Sequence, residues 1–246
     1  MTADNLASVP QIREFKDLEP LLKSQNRLMV ALRGNVGSET PMNCEFSELQ
    51  GVVVEKTVLK YFLERIKNKD KDEDEDKNKN KNEDKGDKWR KDYEVLHSTS
   101  EQVPWYLDDG TFHVKVVGAR SAEGFYCTDR YAVFEPSRRW HGVETLDDLE
   151  NLPYITKGKE DRQVLGVKRI ERVLPIGTSL SVIGEAVKDG NGTICIQRPD
   201  GGGPFYVSPR TIDQLTEGQR GEARVSYVGS VVFTLLGVAD IGLHLL

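Results

Sequence analysis

The stretch Ser179-Leu-Ser-Val-Ile-Gly-Glu-Ala-Val-Lys-Asp-Gly-Asn-Gly-Thr-Ile-Cys-Ile-Gln197 decides the reading of the fold. Leu180 and Val182 alternate with serines, and Ile194 and Ile196 alternate with Thr193, Cys195 and Gln197. A period of two places every second side chain on one face of a pleated strand, so each arm has one face to bury. Between the arms, Asp189-Gly-Asn-Gly192 supplies residues that tolerate the positive φ of a tight reversal. The segment is a β-hairpin.

The same design occurs upstream in Trp105-Tyr-Leu-Asp-Asp-Gly-Thr-Phe-His-Val-Lys-Val-Val117. Asp109-Gly110 makes the turn, and Val114 and Val116 alternate with His113 and Lys115. Both hairpins run turn, Gly-Thr, alternating apolar residues. This repetition implies a mainly β (α+β) chain built from two related small OB-like or barrel-like β units with short helices.

Further out, Leu28–Leu32 and Gly51–Val54 read as strands around a Gly/Ser/Pro turn region at Gly34–Pro41. Ile12, Phe15, Leu18, Leu21 and Leu22 form a helical stripe that Pro20 is expected to break or kink. Val58–Ile66 fits a short helix or a strand. Thr145 is placed to cap a helix over Leu146–Leu152, with Asp147 and Asp148 in its first turn. Ser208-Pro209 reads as a helix start, with Ser as cap and Pro in the first helical position. Gly218 and Gly221 keep that helix short.

Composition divides the chain. Residues 1–24 form an N-terminal helical segment, 25–218 a β domain and 225–246 a terminal apolar segment. Inside the domain, 67–92 is Lys, Asp, Glu and Asn with a tryptophan near its end, and its charges nearly balance. With no apolar face it cannot recover the entropy of ordering, so it reads as a disordered insert between two strands; a charged binding tether is the alternative. The terminal run is strongly apolar over Tyr227–Ala239 and then carries Asp240 and His244. A membrane span needs about 20 apolar residues. A charge at its centre costs on the order of 3 kcal/mol. Asp240 lies toward the end, so a transmembrane helix and a buried core helix both remain open.

Little chemistry is signalled. The net charge is −6, which gives no long-range attraction to nucleic acid. Cys44, Cys127 and Cys195 are far apart and form no C-x-x-C pair; a reducing compartment fits. His97, His113, His141 and His244 show no metal-ligand spacing. No phosphate loop, nucleophile elbow or zincin motif occurs, and Gly201-Gly-Gly203 reads as a hairpin loop. The candidate binding residues are Trp105, Tyr106, Asp108 and Asp109, where a turn resembling those of OB folds lies beside two aromatics able to stack on a ligand. The plainer reading is a hairpin turn with buried aromatics. The N-terminus lacks the basic and apolar regions of a signal peptide.

Several stretches together resemble one family. They are Leu165-Gly-Val-Lys-Arg-Ile-Glu-Arg-Val-Leu-Pro-Ile-Gly-Thr-Ser-Leu-Ser-Val-Ile-Gly-Glu-Ala-Val-Lys188, Gly192-Thr-Ile-Cys-Ile-Gln-Arg-Pro199 and Gly203-Pro-Phe-Tyr-Val-Ser-Pro209, with Val103–Thr111, Val116–Arg120, Gly34–Pro41 and Gly51–Glu55 upstream. They are similar to the GIDE/BAM domain of membrane-anchored RING-type ubiquitin ligases of organelle outer membranes, a family that includes mulan and plant relatives regulating plastid import. The resemblance implies a domain that recognises protein substrates while a RING transfers ubiquitin. A pair of tetrahedral zinc ions needs about eight Cys/His ligands in paired spacing. This sequence offers three scattered cysteines, so a substrate-recognition chain without the RING is expected, inactive as a ligase alone. Zinc and a ubiquitin-conjugating E2 enzyme are implied only for a form that carries a RING; otherwise no cofactor is expected. Implied partners are protein substrates, full-length family members and a membrane of plastid, mitochondrion or peroxisome through 225–246. The alternatives are a non-enzymatic membrane-anchored regulatory module and, less consistent with the acidic balance, an OB-like nucleic-acid binder.

Overall fold

In the computed structural model, residues 8–66, 89–140, 161–215 and 217 are described. Eleven strands among them form two sheets. The first contains β1 (Arg27–Gly37), β5 (Tyr106–Asp108), β6 (His113–Val116), β9 (Ser179–Lys188), β10 (Ile194–Gln197) and β11 (Tyr206–Ser208). β1 pairs with β5 along one edge and with β9 along the other, so β1-β5-β6-β10-β9 closes into a barrel, and β11 lies beside β9. All these pairings are antiparallel except β6 with β10, where Lys115 and Val116 lie opposite Cys195 and Ile196.

Both expected hairpins are present, as β5–β6 and β9–β10. They do not each build a unit. The parallel β6–β10 pairing sets them side by side in one barrel, because each buries one face and the two faces share one core. Their turns are held alike. Asp189 Oδ1 accepts from the amides of Asn191 and Thr193, both at 2.9 Å, and Asp109 Oδ1 accepts from the amide and hydroxyl of Thr111, both at 2.8 Å. Gly110 and Gly192 adopt φ of 85° and 84°.

The barrel interior follows the alternation: Val30, Leu32 and Val36 from β1, Leu107, Val114 and Val116 from the first hairpin, and Leu180, Val182, Ala186, Ile194 and Ile196 from the second. Outward-facing Ala31 and Ile183 form a smaller cluster with Ile212 and Leu215. Gly34 does not end a strand as the sequence suggested; β1 runs through it to Gly37. A Cβ at Gly34 would stand 2.8 Å from the Asp108 carbonyl oxygen and 3.0 Å from the Phe15 ring. The glycine is there for close approach, letting Phe15 plug the barrel end.

Phe15 sits on a short 3-10 turn that leads into α1 (Leu18–Ser24), and Leu18 and Leu22 complete the plug. Pro20 does not break this helix. It occupies the first turn, where a missing N–H removes no helical bond.

The second sheet is antiparallel, with β3 (Gln50–Arg65) between β4 (Trp89–Gln102) and β8 (Arg162–Pro175), β7 (Asp129–Pro136) outside β8, and β2 (Met42–Asn43) at the start of β3. Val58–Ile66 is thereby resolved as strand up to Arg65. The expected insert is shorter than 67–92: β4 begins at Trp89, and Arg90, Lys91 and Asp92 pair with Glu64, Leu63 and Phe62. Ladder hydrogen bonds recruit these polar residues whatever their propensity. Residues 67–88 and the Leu146–Leu152 helix lie outside the described residues. Val52, Val53 and Leu174 carry the second sheet into the barrel core.

Glu171 is fully buried on β8, and its carboxylate accepts from the amides of Glu45 and Phe46 at 3.0–3.1 Å, pinning the loop after β2. The last described helix begins at Ile212, not after Ser208. Thr211 caps it: its Oγ1 accepts from the Gln214 amide at 3.3 Å, and Gln214 Oε1 accepts from the Thr211 amide at 3.0 Å. This reciprocal box satisfies two orphan donors, whereas Ser208 bonds the Arg210 amide in the turn before it. The candidate transmembrane segment 225–246 lies outside the described residues, and no described helix is long and apolar enough to cross a membrane.

Candidate functional site

The four singled-out residues, Trp105, Tyr106, Asp108 and Asp109, separate into three roles. Trp105 precedes β5 and is 1% exposed, inside the barrel core, so it cannot stack on a ligand. The apolar interior of the barrel gives that large ring somewhere to bury. Its Nε1 has no hydrogen-bond partner in the protein.

Asp109 is used by the fold. Oδ1 accepts the two Thr111 bonds and one from the Phe112 amide at 3.1 Å, while Oδ2 accepts from the Phe15 amide at 2.6 Å. The carboxylate therefore ties the N-terminal plug to the hairpin. Partial burial opposes its ionisation, yet these bonds from Phe15, Thr111 and Phe112 prevail and hold it below the usual carboxylate range.

Tyr106 and Asp108 do line a site. Together with Asn35, Val36, Gly37 and Gly110 they wall an open groove of about 250 Å³ between β1 and β5. The antiparallel register creates it by setting Asn35 opposite Asp108 and Gly37 opposite Tyr106. A Cβ at Gly37 would lie 2.4 Å from Tyr106 Cε2, so glycine is what lets the phenol lie flat against β1. Tyr106 also contacts His113, with ring centroids 4.7 Å apart, and Phe112 stacks on His113 at 5.7 Å and 13°. The result is a row of three rings, with Phe112 and His113 exposed at its end. Asp108 keeps its place by accepting from the Gly110 amide at 2.6 Å.

Sequence reading missed Gly37 as part of this wall, and His113 and Phe112 as the rings beside Tyr106. Gly37 and Tyr106 are far apart in the chain, and only the β1–β5 register unites them. A second hollow of about 380 Å³ lies among Ser8–Pro10, Met29, Glu185 and the Pro199–Pro204 loop. Its one acidic side chain, Glu185, is already engaged by Arg27 at 3.1 Å.

The side chains lining the groove offer an amide, a phenol and a carboxylate. The groove holds no nucleophile and no pair of facing carboxylates. Burial pushes the thiols of Cys44 and Cys195 upward and that of Cys127 to about 11, the reverse of an activated cysteine. Among the described residues, no group of three or more His, Cys, Asp or Glu is arranged to hold a metal ion.

The GIDE family, described as E3 ubiquitin ligase, matches residues 75–242, and the chain belongs to it. E3 ubiquitin-protein ligase SP1 of Arabidopsis thaliana is 41% identical over 99% of this chain. E3 ubiquitin-protein ligase SPL1 of the same plant is 33% identical over 96%. Mitochondrial ubiquitin ligase activator of NFKB 1 from Homo sapiens is 24% identical over 80% of the chain and 54% of its own length. The chain spans 64% and 63% of the two plant relatives. No solved structure matches it.

Proposed function

We propose that this chain acts as the substrate-recognition part of an organelle-outer-membrane ubiquitin ligase, reading protein clients through the groove between β1 and β5. The observation that carries this reading is the groove itself. Gly37 seats Tyr106, the ring row continues through His113 to Phe112, and Asp108 supplies a fixed carboxylate. Aromatic anchors beside a few oriented polar groups are what a peptide-binding surface needs.

Ubiquitin transfer by a RING requires two zinc ions and thus about eight ligands. The sequence contains three cysteines and four histidines, seven in all, so these residues cannot fill such a site and no transfer step is assigned to them. The apolar run Val225–Leu246 is the proposed membrane attachment, at a plastid, mitochondrial or peroxisomal outer membrane. The name of the human relative, which places that protein at mitochondria, supports an organellar address.

The test joins the full chain to a heterologous RING and measures ubiquitination of organelle outer-membrane proteins. A defined set of clients that disappears with Tyr106→Ala and Asp108→Ala supports recognition by the groove. An identical set with both variants refutes it. Carbonate washing tests the attachment separately, since release of the protein excludes a spanning segment.

A further inference from the structure

One face of the second sheet carries a cluster of cations that form no ion pair. Arg130 of β7 and Arg172 of β8 stand directly opposite each other in the antiparallel ladder. Like charges in that position destabilise a sheet. Lys168 lies four residues along β8, on the same face by the two-residue period, about 13 Å from Arg172. Arg120 reaches the face from the 3-10 turn Ala119–Ser121 and donates to Ser100 Oγ of β4. Ser100 pairs across the sheet with Glu55, and Glu55 with Arg172, so all of these groups share one side.

The contrast within the sheet is sharp. Lys56, Lys60, Arg90, Arg162 and Arg169 each hold a carboxylate. Among the described residues, Arg120, Arg130, Lys168 and Arg172 form no ion pair, and Glu55, although on their side, is not within pairing distance of them. Arg120, Arg130 and Arg172 are exposed and Lys168 is half-buried. In a protein of net charge −6, a strip where Arg120, Arg130, Lys168 and Arg172 outnumber Glu55, with an unfavourable Arg–Arg opposition, fits an anionic partner.

We infer that this face docks an extended acidic peptide segment of a protein partner, its carboxylates bridging Arg130 and Arg172 and continuing to Lys168. Guanidinium groups grip carboxylates through paired N–H donors. A peptide in extended form repeats its side chains at the strand spacing of β8, so acidic residues four positions apart reach Arg172 and Lys168 together. The strip is too short, and the whole chain too acidic, for a nucleic-acid backbone. The surface is separate from the β1–β5 groove and stands or falls without it.

The test is fluorescence anisotropy of a labelled Glu/Ser peptide, with its Gln/Ser counterpart as control, on the full chain in neutral detergent. At about 50 mM salt the Glu peptide binds at least about tenfold tighter than the control, and salt near 0.3 M removes most of the difference. Arg172→Glu weakens binding about tenfold or more. The same change places a carboxylate opposite both Arg130 and Glu55, one gain against one loss, so the thermal midpoint moves by less than about 2 °C. A purely structural arginine would not lose binding while the fold keeps its stability. Equal binding of the two peptides overturns the proposal, as does wild-type affinity in Arg172→Glu. If Arg172→Glu melts lower than wild type, the double variant Arg130→Gln/Lys168→Gln decides, and retained affinity there also overturns it. Tighter binding of a single-stranded oligonucleotide of equal charge would reassign the face to nucleic acid.

Discussion

Replacing Asp109 by alanine should loosen the N-terminal plug without opening the barrel itself. The carboxylate accepts four hydrogen bonds, three within the turn and one from the Phe15 amide, a residue 94 positions away. Bonds to a charged acceptor contribute roughly 1.5–3 kcal/mol each, but those within one network do not add. The turn amides of Thr111 and Phe112 can turn to water. The Phe15 amide sits behind a fully buried ring and cannot do so easily. The expected loss is about 2–4 kcal/mol, or some 5–12 °C in the thermal midpoint of a domain this size.

Asp109→Asn keeps one acceptor oxygen and should restore about half of that. The pH dependence has a definite sign. Asp109 has a folded-state pKa below its unfolded value of about 3.9, so its contribution is complete above that value and is lost as pH falls through the lower folded value. Wild type should therefore lose an increment of stability below about pH 4 that Asp109→Asn does not show. Thermal melts across pH 2–7 and hydrogen exchange at the Phe15 amide are the assays. A midpoint within about 2 °C of wild type in Asp109→Ala, or a Phe15 amide as protected as before, would refute the argument.

Three further outcomes are expected. Gly37→Ala places a Cβ against the Tyr106 ring, so the ring must swing from β1; a changed His113 ring-current shift by NMR and a loss of about 1–3 kcal/mol in urea melts should result. Cys127, with its thiol pushed to about 11, is thiolate in only about one molecule in ten thousand at pH 7, so alkylation of the folded chain should be slow and rise about tenfold per pH unit; rapid labelling at neutral pH would contradict its burial. Joining Ile66 to Trp89 through a tight turn in place of 67–88 should move the midpoint by under about 2 °C, whereas deletion through Asp92 removes the pairings of Trp89–Asp92 with β3 and should cost several degrees.

The sequence alone determined the two hairpins, since a two-residue alternation around Asp-Gly or Asn-Gly is a local code that needs no distant partner. It also determined the family, through stretches in both halves of the chain. Pro20, Gly34 and Asp92 show where local reading failed. A proline suggested a break, a glycine a turn and a charge run an insert, but position in a helix turn, contact with Phe15 and ladder pairing with β3 assigned each a different role.

The site divided in the same way. Tyr106 and Asp108 were legible as a turn with an aromatic beside it, while Trp105 and Asp109 looked equally available. Only the tertiary structure decided that Trp105 fills the core and Asp109 holds Phe15, and only it brought Gly37 to Tyr106 and Arg130 to Arg172. Those contacts depend on strand register between segments far apart in the chain. Register is set by which faces the whole barrel buries, and that is a property of no single stretch of sequence.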